Sequence, residues 1–133
     1  MSIAIDIAKA AEAGLLALGV FGSRVTRSLE TGDSYEDFPA ALLQMGVDVP
    51  SGQPAPVTVE YRVFTLELEV MADGEVPHDA CDAVLVPAHA VMMALAPQVS
   101  CGTVQWGYDE ENPALGIVRI QYQITYRRQE GEL

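Results

Sequence analysis

The stretch that most constrains the fold runs from Thr103 to Arg128. From Val118 onward the apolar residues occupy every second position, with Arg, Gln and Thr between them. This alternation predicts a β-strand with one buried and one solvated face. A shorter alternating run, Thr103–Tyr108, precedes it, and the acidic, turn-forming segment Asp109–Pro113 separates the two. The pattern therefore predicts a β-hairpin.

Length and composition are those of a single domain, residues 1–133. A chain of this size buries roughly two thirds of its unfolded surface. Half of the residues are apolar, which excludes a disordered chain, and no apolar run reaches the roughly 18 residues of a membrane helix. Asp6, Lys9 and Glu12 interrupt the apolar N-terminal segment, so we expect a helix of the mature protein, made and kept in the cytoplasm.

The charge balance is strongly acidic, with 19 acids against 7 bases and a net charge of −12. Sequence-independent binding to a phosphate backbone needs clusters of Lys and Arg. The nearest such feature is the pair Arg127-Arg128. We therefore expect no direct binding of nucleic acid, because an acidic surface repels a polyanion.

Two segments have helical patterns. Residues 3–18 are amphipathic, with Ser2 as the predicted N-cap and Gly19 as the left-handed stop. Pro77–Ala96 is the second, and Pro87 in its middle predicts a kink or a break into two helices. The predicted sheet-facing residues of this helix are Val84, Val91, Met92 and Leu95.

The remaining strands are less regular. Val20–Glu30 and Phe38–Val47 each predict a short strand, and the polar segment Gly32–Asp37 predicts an acidic loop between them. Asp48–Pro56 contains three prolines and is expected to stay outside any ladder.

Val57–Met71 predicts a long strand whose apolar parity changes between Val63 and Phe64. That change predicts a β-bulge there, or two halves of the strand that are buried differently. Together the elements predict an α+β fold, in which two helices pack on a mixed, mainly antiparallel sheet of about five strands.

Four residues, His78, Cys81, His89 and Cys101, suggest a metal site only weakly. His78 and Cys81 are three residues apart and share a helical face, but zinc sites usually pair ligands as CxxC or HxxxH, and here His89 and Cys101 lie on separate elements. Packed reduced thiols and helix-surface histidines are the favoured interpretation. A nucleophile elbow and a glycine-rich phosphate loop are both absent from the sequence, so we predict no enzyme, no cofactor and no catalytic or metal residues.

Arginines and aromatic residues are the candidates for a protein interface. In so acidic a chain the arginines suit carboxylates of a neighbouring subunit, with pairs inside the chain as the alternative for part of them. Trp106, Tyr108, Tyr122 and Tyr126 predict an aromatic ladder across the hairpin. Packing is favoured for Tyr122 and Tyr126, and Trp106 is open between packing and an interface. The predicted interface residues are Arg24, Arg27, Arg62, Trp106, Asp109, Glu110, Glu111, Arg127 and Arg128.

Several short motifs, taken in order, carry a family resemblance across nearly the whole chain. They are the acidic loop leading to Asp37-Phe38-Pro39-Ala40, the strand Phe64–Val70, the helix start Val76-Pro77 with Asp82-Ala83, and Gly107-Tyr108-Asp109 followed by Gln123-Ile124-Thr125-Tyr126. Their order and spacing resemble the lambda-type phage tail terminators, the minor tail protein U family. The chain departs from that pattern at Pro87 and in the proline-rich Asp48–Pro56 segment.

The resemblance implies a non-catalytic protein of the virion tail, assembled in the host cytoplasm. Members of the family form a hexameric ring at the head-proximal end of the tail, where they stop tube growth and provide the head-joining surface. The implied partners are further copies of the chain, the tail tube protein and a head-completion protein. Phage DNA would pass through the ring unbound, past an acidic lumen if Asp109, Glu110 and Glu111 line it. The alternatives are another neck or tail-completion protein, or a small soluble binding or enzymatic domain.

Overall fold

The computed structural model describes residues 2–28 and 36–129. Its elements, in chain order, are α1 (Ile3–Ala17), β1 (Val25–Thr26), β2 (Ala40–Pro50), β3 (Val59–Asp73), α2 (Pro77–Met93), β4 (Gln98–Tyr108) and β5 (Leu115–Gln129). The strands form one sheet in the order β1-β2-β3-β5-β4. The pair β1–β2 is parallel and the other three pairs are antiparallel. The predicted α+β class and the predicted hairpin are confirmed.

The centre of the sheet is the β3–β5 pair, which runs without a register shift from Val59↔Gln129 to Asp73↔Leu115. Alternate residues of both strands face the helices, as the period-two pattern predicted. The buried residues on this face include Phe64, Leu66, Leu68, Val70, Val118, Ile120, Tyr122 and Ile124. Both helices pack on this face and close the main core over it.

The first helix follows its sequence signals at both ends. The Ser2 Oγ accepts a hydrogen bond from the Ile5 N–H at 3.2 Å, which satisfies one of the free donors of the first turn. Gly19 has φ +77°, a conformation that glycine adopts without steric cost, and it follows the last helical turn. The buried stripe of α1 consists of Ala4, Ala8, Ala11 and Leu15.

The second helix stays one element through Pro87 and ends at Met93, three residues before the predicted end. Of the two outcomes expected at Pro87, the break is therefore excluded. Proline has no N–H to donate to the Ala83 carbonyl, and because Ala83 is exposed, water can satisfy that carbonyl. All four predicted residues contact the core, Met92 as a buried member and Val84, Val91 and Leu95 as partly buried neighbours. The fully buried line of the helix is Cys81, Leu85, Ala88 and Met92.

A bulge does lie in the sheet, but in β2 and not in β3. The pairing of β2 with β3 shifts between Met45 and Asp48, which lie opposite Leu66 and Phe64. The extra residue is therefore at Gly46-Val47. The change of parity in β3 has the other predicted origin: the first half is half-buried at every position, and the alternation of buried residues starts at Phe64.

The prediction that Asp48–Pro56 stays outside the ladder was wrong for its first three residues. Asp48, Val49 and Pro50 pair with Phe64, Val63 and Arg62 of β3 and extend β2 beyond the bulge. Pro50 is tolerated because it is the last residue of the strand.

The predicted strand at Val20–Glu30 is reduced to Val25–Thr26. Two tight turns take up the preceding residues, because the N–H of Gly22 bonds the Gly19 carbonyl at 3.1 Å and the N–H of Arg24 bonds the Phe21 carbonyl at 3.0 Å. The end of that predicted strand and most of the predicted acidic loop Gly32–Asp37 lie outside the described residues.

Candidate assembly interface

The outer strand of the hairpin, β4, forms one edge of the sheet. Its sequence contains no charged residue, although the chain carries a net charge of −12. The side chains of Trp106 and Tyr108 are 46% and 54% exposed, and Val104 is exposed beside them. Natural proteins usually protect such edges with charge or proline. An uncharged edge strand with exposed aromatic residues is a candidate protein contact.

One residue of α2 packs on these aromatic side chains. The His78 ring stacks on Tyr108, with ring centroids 4.4 Å apart and planes inclined by 20°, and it lies 5.5 Å from the Trp106 ring. Its Nε2 is 3.3 Å from the Gly107 carbonyl oxygen. The sequence left Trp106 open between packing and an interface. In the structure it packs beside a histidine and also keeps nearly half of its surface exposed.

The predicted aromatic ladder across the hairpin was wrong, because no two of its members are paired. Trp106 lies opposite Val118, and Tyr122 lies opposite Cys101. Tyr122 and Tyr126 are instead core residues, as the packing interpretation predicted. Burial raises the pKa of Tyr122 well above its ordinary value. Its hydroxyl stays protonated and forms a hydrogen bond of 2.7 Å with Nδ1 of His89, in which the tautomer of the imidazole decides the donor.

Arg62 and Arg128, both predicted interface residues, are engaged within the chain. Arg62 bonds Asp48 at 2.8 Å and Glu60 at 2.7 Å, and Arg128 bonds Glu60 at 2.9 Å. The Tyr126 hydroxyl donates to the other oxygen of Asp48 at 2.6 Å. The hydrogen bond from Arg128, with a further one from Arg62, holds the pKa of Glu60 below its ordinary value. This network joins β2, β3 and β5, and neither of its acids was among the predicted site residues.

Two further arginines, on the β1 segment, make contacts within the chain. Nε of Arg24 donates to the Pro39 carbonyl at 2.9 Å and so joins the β1 segment to the start of β2. Nε of Arg27 lies 3.7 Å from a carboxylate oxygen of Glu12 and donates to no acceptor in the part of the chain that the structure describes. Both side chains thus make contacts within the chain, the alternative that the sequence left open for part of the arginines.

Arg127 differs from the other arginines. Arg119 pairs with Glu69 at 3.3 Å on the open face of the sheet. Arg127 is exposed, and across residues 2–28 and 36–129 it has no ion pair. It is the predicted interface arginine that the structure leaves available to a partner.

The acidic loop of the hairpin is ordered by its own side chains. The Asp109 Oδ1 accepts hydrogen bonds from the N–H groups of Glu111 at 2.8 Å and Asn112 at 3.3 Å. The N–H of Gly74 bonds the Ala114 carbonyl at 3.2 Å and holds the β3–α2 connection beside the loop. Together with the end of β3 and the first turn of α2, these two segments form an acidic end of the domain without Lys or Arg. Its acids are Asp73, Glu75, Asp79, Asp109, Glu110 and Glu111.

The opposite end of the hairpin contains a groove with a volume of about 560 Å³. Arg127 and Tyr126 of β5 line it together with Ile7 of α1 and the turn that connects α2 to β4. Its lining is more apolar than polar. We call it the β5 groove.

The four residues of the weak metal pattern do not converge. His78 packs on aromatic rings and His89 bonds Tyr122, so both are half-buried and face the sheet. Cys81 is buried, and burial raises its pKa, whereas Cys101 is exposed. The prediction of packed thiols therefore holds for Cys81 and was wrong for Cys101. Within the described ranges no group of three or more His, Cys, Asp or Glu is arranged to hold a metal ion.

Neither helix described by the structure has the length and apolar character needed to cross a membrane. A scan against protein-family models found no match to this chain, and a search of curated proteins found none either.

Proposed function

We propose that this chain is a structural assembly protein, whose surfaces make contacts between subunits and carry out no chemistry. More particularly, we propose a phage tail terminator, which caps the head-proximal end of the tail tube as a ring, ends its polymerisation and forms the surface that joins the head. The tube protein, a head-completion protein and further copies of the chain are its partners.

The observation that carries the proposal is the uncharged edge strand β4. Copies that each carry −12 repel one another, so contacts between them are favoured at neutral or cationic surfaces. Trp106 and Tyr108 are exposed on such a surface, and Trp and Tyr are enriched at the centres of protein interfaces. A ring also needs two different surfaces on each copy. The acidic end and the opposite end of the hairpin, where the cation Arg127 lies, differ in charge and can serve as these two surfaces.

The two departures from the family pattern are compatible with this proposal. Pro87 lies within a continuous helix, and the first residues of the proline-rich segment extend β2. Both features are therefore accommodated without a change of fold class.

The test is tail length in phage assembled without this protein. The proposal expects tubes that polymerise past the normal length, and restoration of that length when the chain is supplied. Tails of normal length in its absence overturn the terminator role.

A pair of variants tests the part played by β4 in the same assay. Trp106→Glu, on the edge strand, should not restore tail length. Val86→Glu should restore it, because Val86 is 64% exposed on α2, away from β4, and the substitution adds the same charge. Restoration by both variants would show that the β4 surface is not needed.

A further inference from the structure

The β5 groove exists because β4 stops before β5 does. The last pair of the β4–β5 ladder is Gln98↔Thr125, whereas β5 continues to Gln129. Pro97 precedes Gln98 and has no N–H to continue the ladder. Beyond Thr125, the edge of β5 that faces away from β3 is consequently not paired with β4.

The side chains around this open edge form an apolar slot with one available cation. Its lining includes Ile7 of α1, Leu95 and Pro97 of the turn after α2, and Tyr126 and Arg127 of β5. By strand alternation Tyr126 belongs to the helix-covered face of the sheet and Arg127 to the open face. The guanidinium of Arg127 has no ion pair within the described ranges. Such a slot suits a ligand that presents a carboxylate next to a small apolar group.

We propose that the β5 groove binds the β4–β5 loop of a second copy of this chain. In this contact a carboxylate of Glu110 or Glu111 pairs with Arg127, and Pro113 and Ala114 of the same loop lie against the apolar walls. The contact deepens the proposed function, on which it rests for the neighbouring copies of a ring.

Charge and rigidity of the loop favour this occupant. Glu110 and Glu111 are exposed, and no Lys or Arg lies within the acidic end to compete for them. The Asp109 carboxylate already holds the backbone N–H groups of Glu111 and Asn112, so the loop is pre-organised and loses little conformational freedom on binding.

The two halves of the contact lie at opposite ends of one strand. Leu115, next to the loop, and Arg127, in the groove, are separated by roughly 40 Å at about 3.3 Å per residue. One copy therefore cannot fill its own groove. The contact is head-to-tail, and such contacts close into a ring when the rotation between copies allows it.

Complementary charge reversals test the contact. Variant A carries Arg127→Glu, and variant B carries Glu110→Arg with Glu111→Arg. Each variant alone places like charges at the contact, whereas a mixture of A and B pairs every groove with a loop of opposite charge. We expect self-association of A and of B to weaken roughly tenfold or more, and the equimolar mixture to associate as the unchanged protein does, by sedimentation and native mass spectrometry.

The proposed contact and general repulsion between the copies predict opposite changes in the self-association of variant B, so this variant distinguishes the two. B has a net charge of −8 instead of −12, so general repulsion alone predicts that B associates more strongly than the unchanged protein. The control for A is Arg119→Glu, which gives the same net charge of −14 away from the groove. Stronger association of B, or equal weakening by A and the control, overturns the proposal.

Disulfide cross-linking gives a second readout. In a Cys101→Ser background, Gln98→Cys at the groove and Glu110→Cys in the loop lie roughly 35 Å apart along β4, too far to join within one copy. Oxidation should therefore give a ladder of linked copies. A matched pair, Val86→Cys with Glu110→Cys, should give none.

No ladder above that control, at any concentration up to the solubility limit, overturns the contact. The tail-length assay distinguishes this failure from failure of the proposed function. If phage assembled without the protein have overlong tails but cross-linking gives no ladder, the copies meet through another surface. If cross-linking gives a ladder but tails assembled without the protein have normal length, the contact is real and the terminator role is wrong.

Discussion

Replacing Gly116 with alanine tests how the second helix sits on the sheet. Gly116 lies in β5, between Ala72 of β3 and Tyr108 of β4, directly below the first residue of α2. A Cβ placed on it would lie 2.9 Å from three atoms of Pro77, two of them backbone. Backbone atoms cannot rotate away, so the start of the helix must move.

The expected cost follows from two opposing effects of this substitution. An added methyl group in a close-packed region costs about 1–3 kcal/mol. Restricting the unfolded chain by replacing glycine with alanine returns about 0.4–1 kcal/mol. We therefore expect Gly116→Ala to lower the free energy of unfolding by about 1–2 kcal/mol.

Urea denaturation, followed by fluorescence and by circular dichroism, measures this change. Trp106 is the sole tryptophan, and it packs beside His78, the residue after Pro77. Moving the helix start should therefore also shift the native emission of Trp106.

The matched control is Gly107→Ala, because a Cβ at Gly107 meets no atom within 4 Å. That variant should be as stable as the unchanged protein or up to about 1 kcal/mol more stable. A Gly116→Ala protein with unchanged stability and unchanged Trp106 emission would refute the reasoning about the helix start.

Single side chains elsewhere in the domain give three further predictions. A thiol reagent should label one cysteine, Cys101, in the native protein and both cysteines after denaturation; rapid native labelling of Cys81 would contradict its burial. Because the folded-state pKa of Glu60 is lowered, its contribution to stability is present above the ordinary value of 4.5 and is lost as the pH falls below it. The free energy of unfolding of Glu60→Gln should therefore fall less between pH 6 and about pH 3 than that of the unchanged protein, as measured by denaturation. Tyr126→Phe should cost about 1 kcal/mol through its hydrogen bond to Asp48, and no change would mean that water replaces that bond.

Sequence predicts best the elements in which apolar and polar residues alternate with burial on one face. Strands β3 and β5 were predicted because the residues between their buried positions are polar or charged over many repeats. Strand β4 was predicted from alternation in sequence alone, since none of its residues is buried. The limits of α1 were predictable because Ser2 and Gly19 act through local backbone chemistry, which needs no distant partner.

The bulge in β2 depends on a partner strand and was not predictable from β2 alone. Residues Gly46 and Val47 lie in a short apolar run with no parity to break, and the shift is visible only against Leu66 and Phe64 of β3. For the same reason Asp48 looked like a loop residue. It belongs to β2 because its carboxylate bonds Arg62 and Tyr126, the second of which is 78 residues away.

The candidate site shows the same division between local and long-range information. Arg127 and Arg128 are adjacent and alternate in direction, so the period-two pattern of β5 already places them on opposite faces. Which of them is available to a partner depends on Glu60, on another strand, which binds Arg128. Sequence alone therefore named both residues, and the fold shows that Arg127 is the one without an ion pair within the described ranges.

Salt dependence separates general repulsion between copies from the contact proposed at Arg127. Copies with a net charge of −12 repel over a Debye length of about 30 Å at 0.01 M salt and about 8 Å at 0.15 M. The contact involves one guanidinium, whereas the repulsion involves the whole net charge, so we expect association to strengthen as salt rises over this range. The Arg119→Glu variant should need a higher salt concentration than the unchanged protein to reach the same degree of self-association.

Arg127→Glu has the same net charge of −14 but should stay weaker at 0.15 M salt and above, because screening removes repulsion and cannot replace a lost ion pair. Sedimentation over a salt series measures both variants against the unchanged protein. If the two curves coincide at every salt concentration, net charge alone controls association, and Arg127 has no special place between the copies.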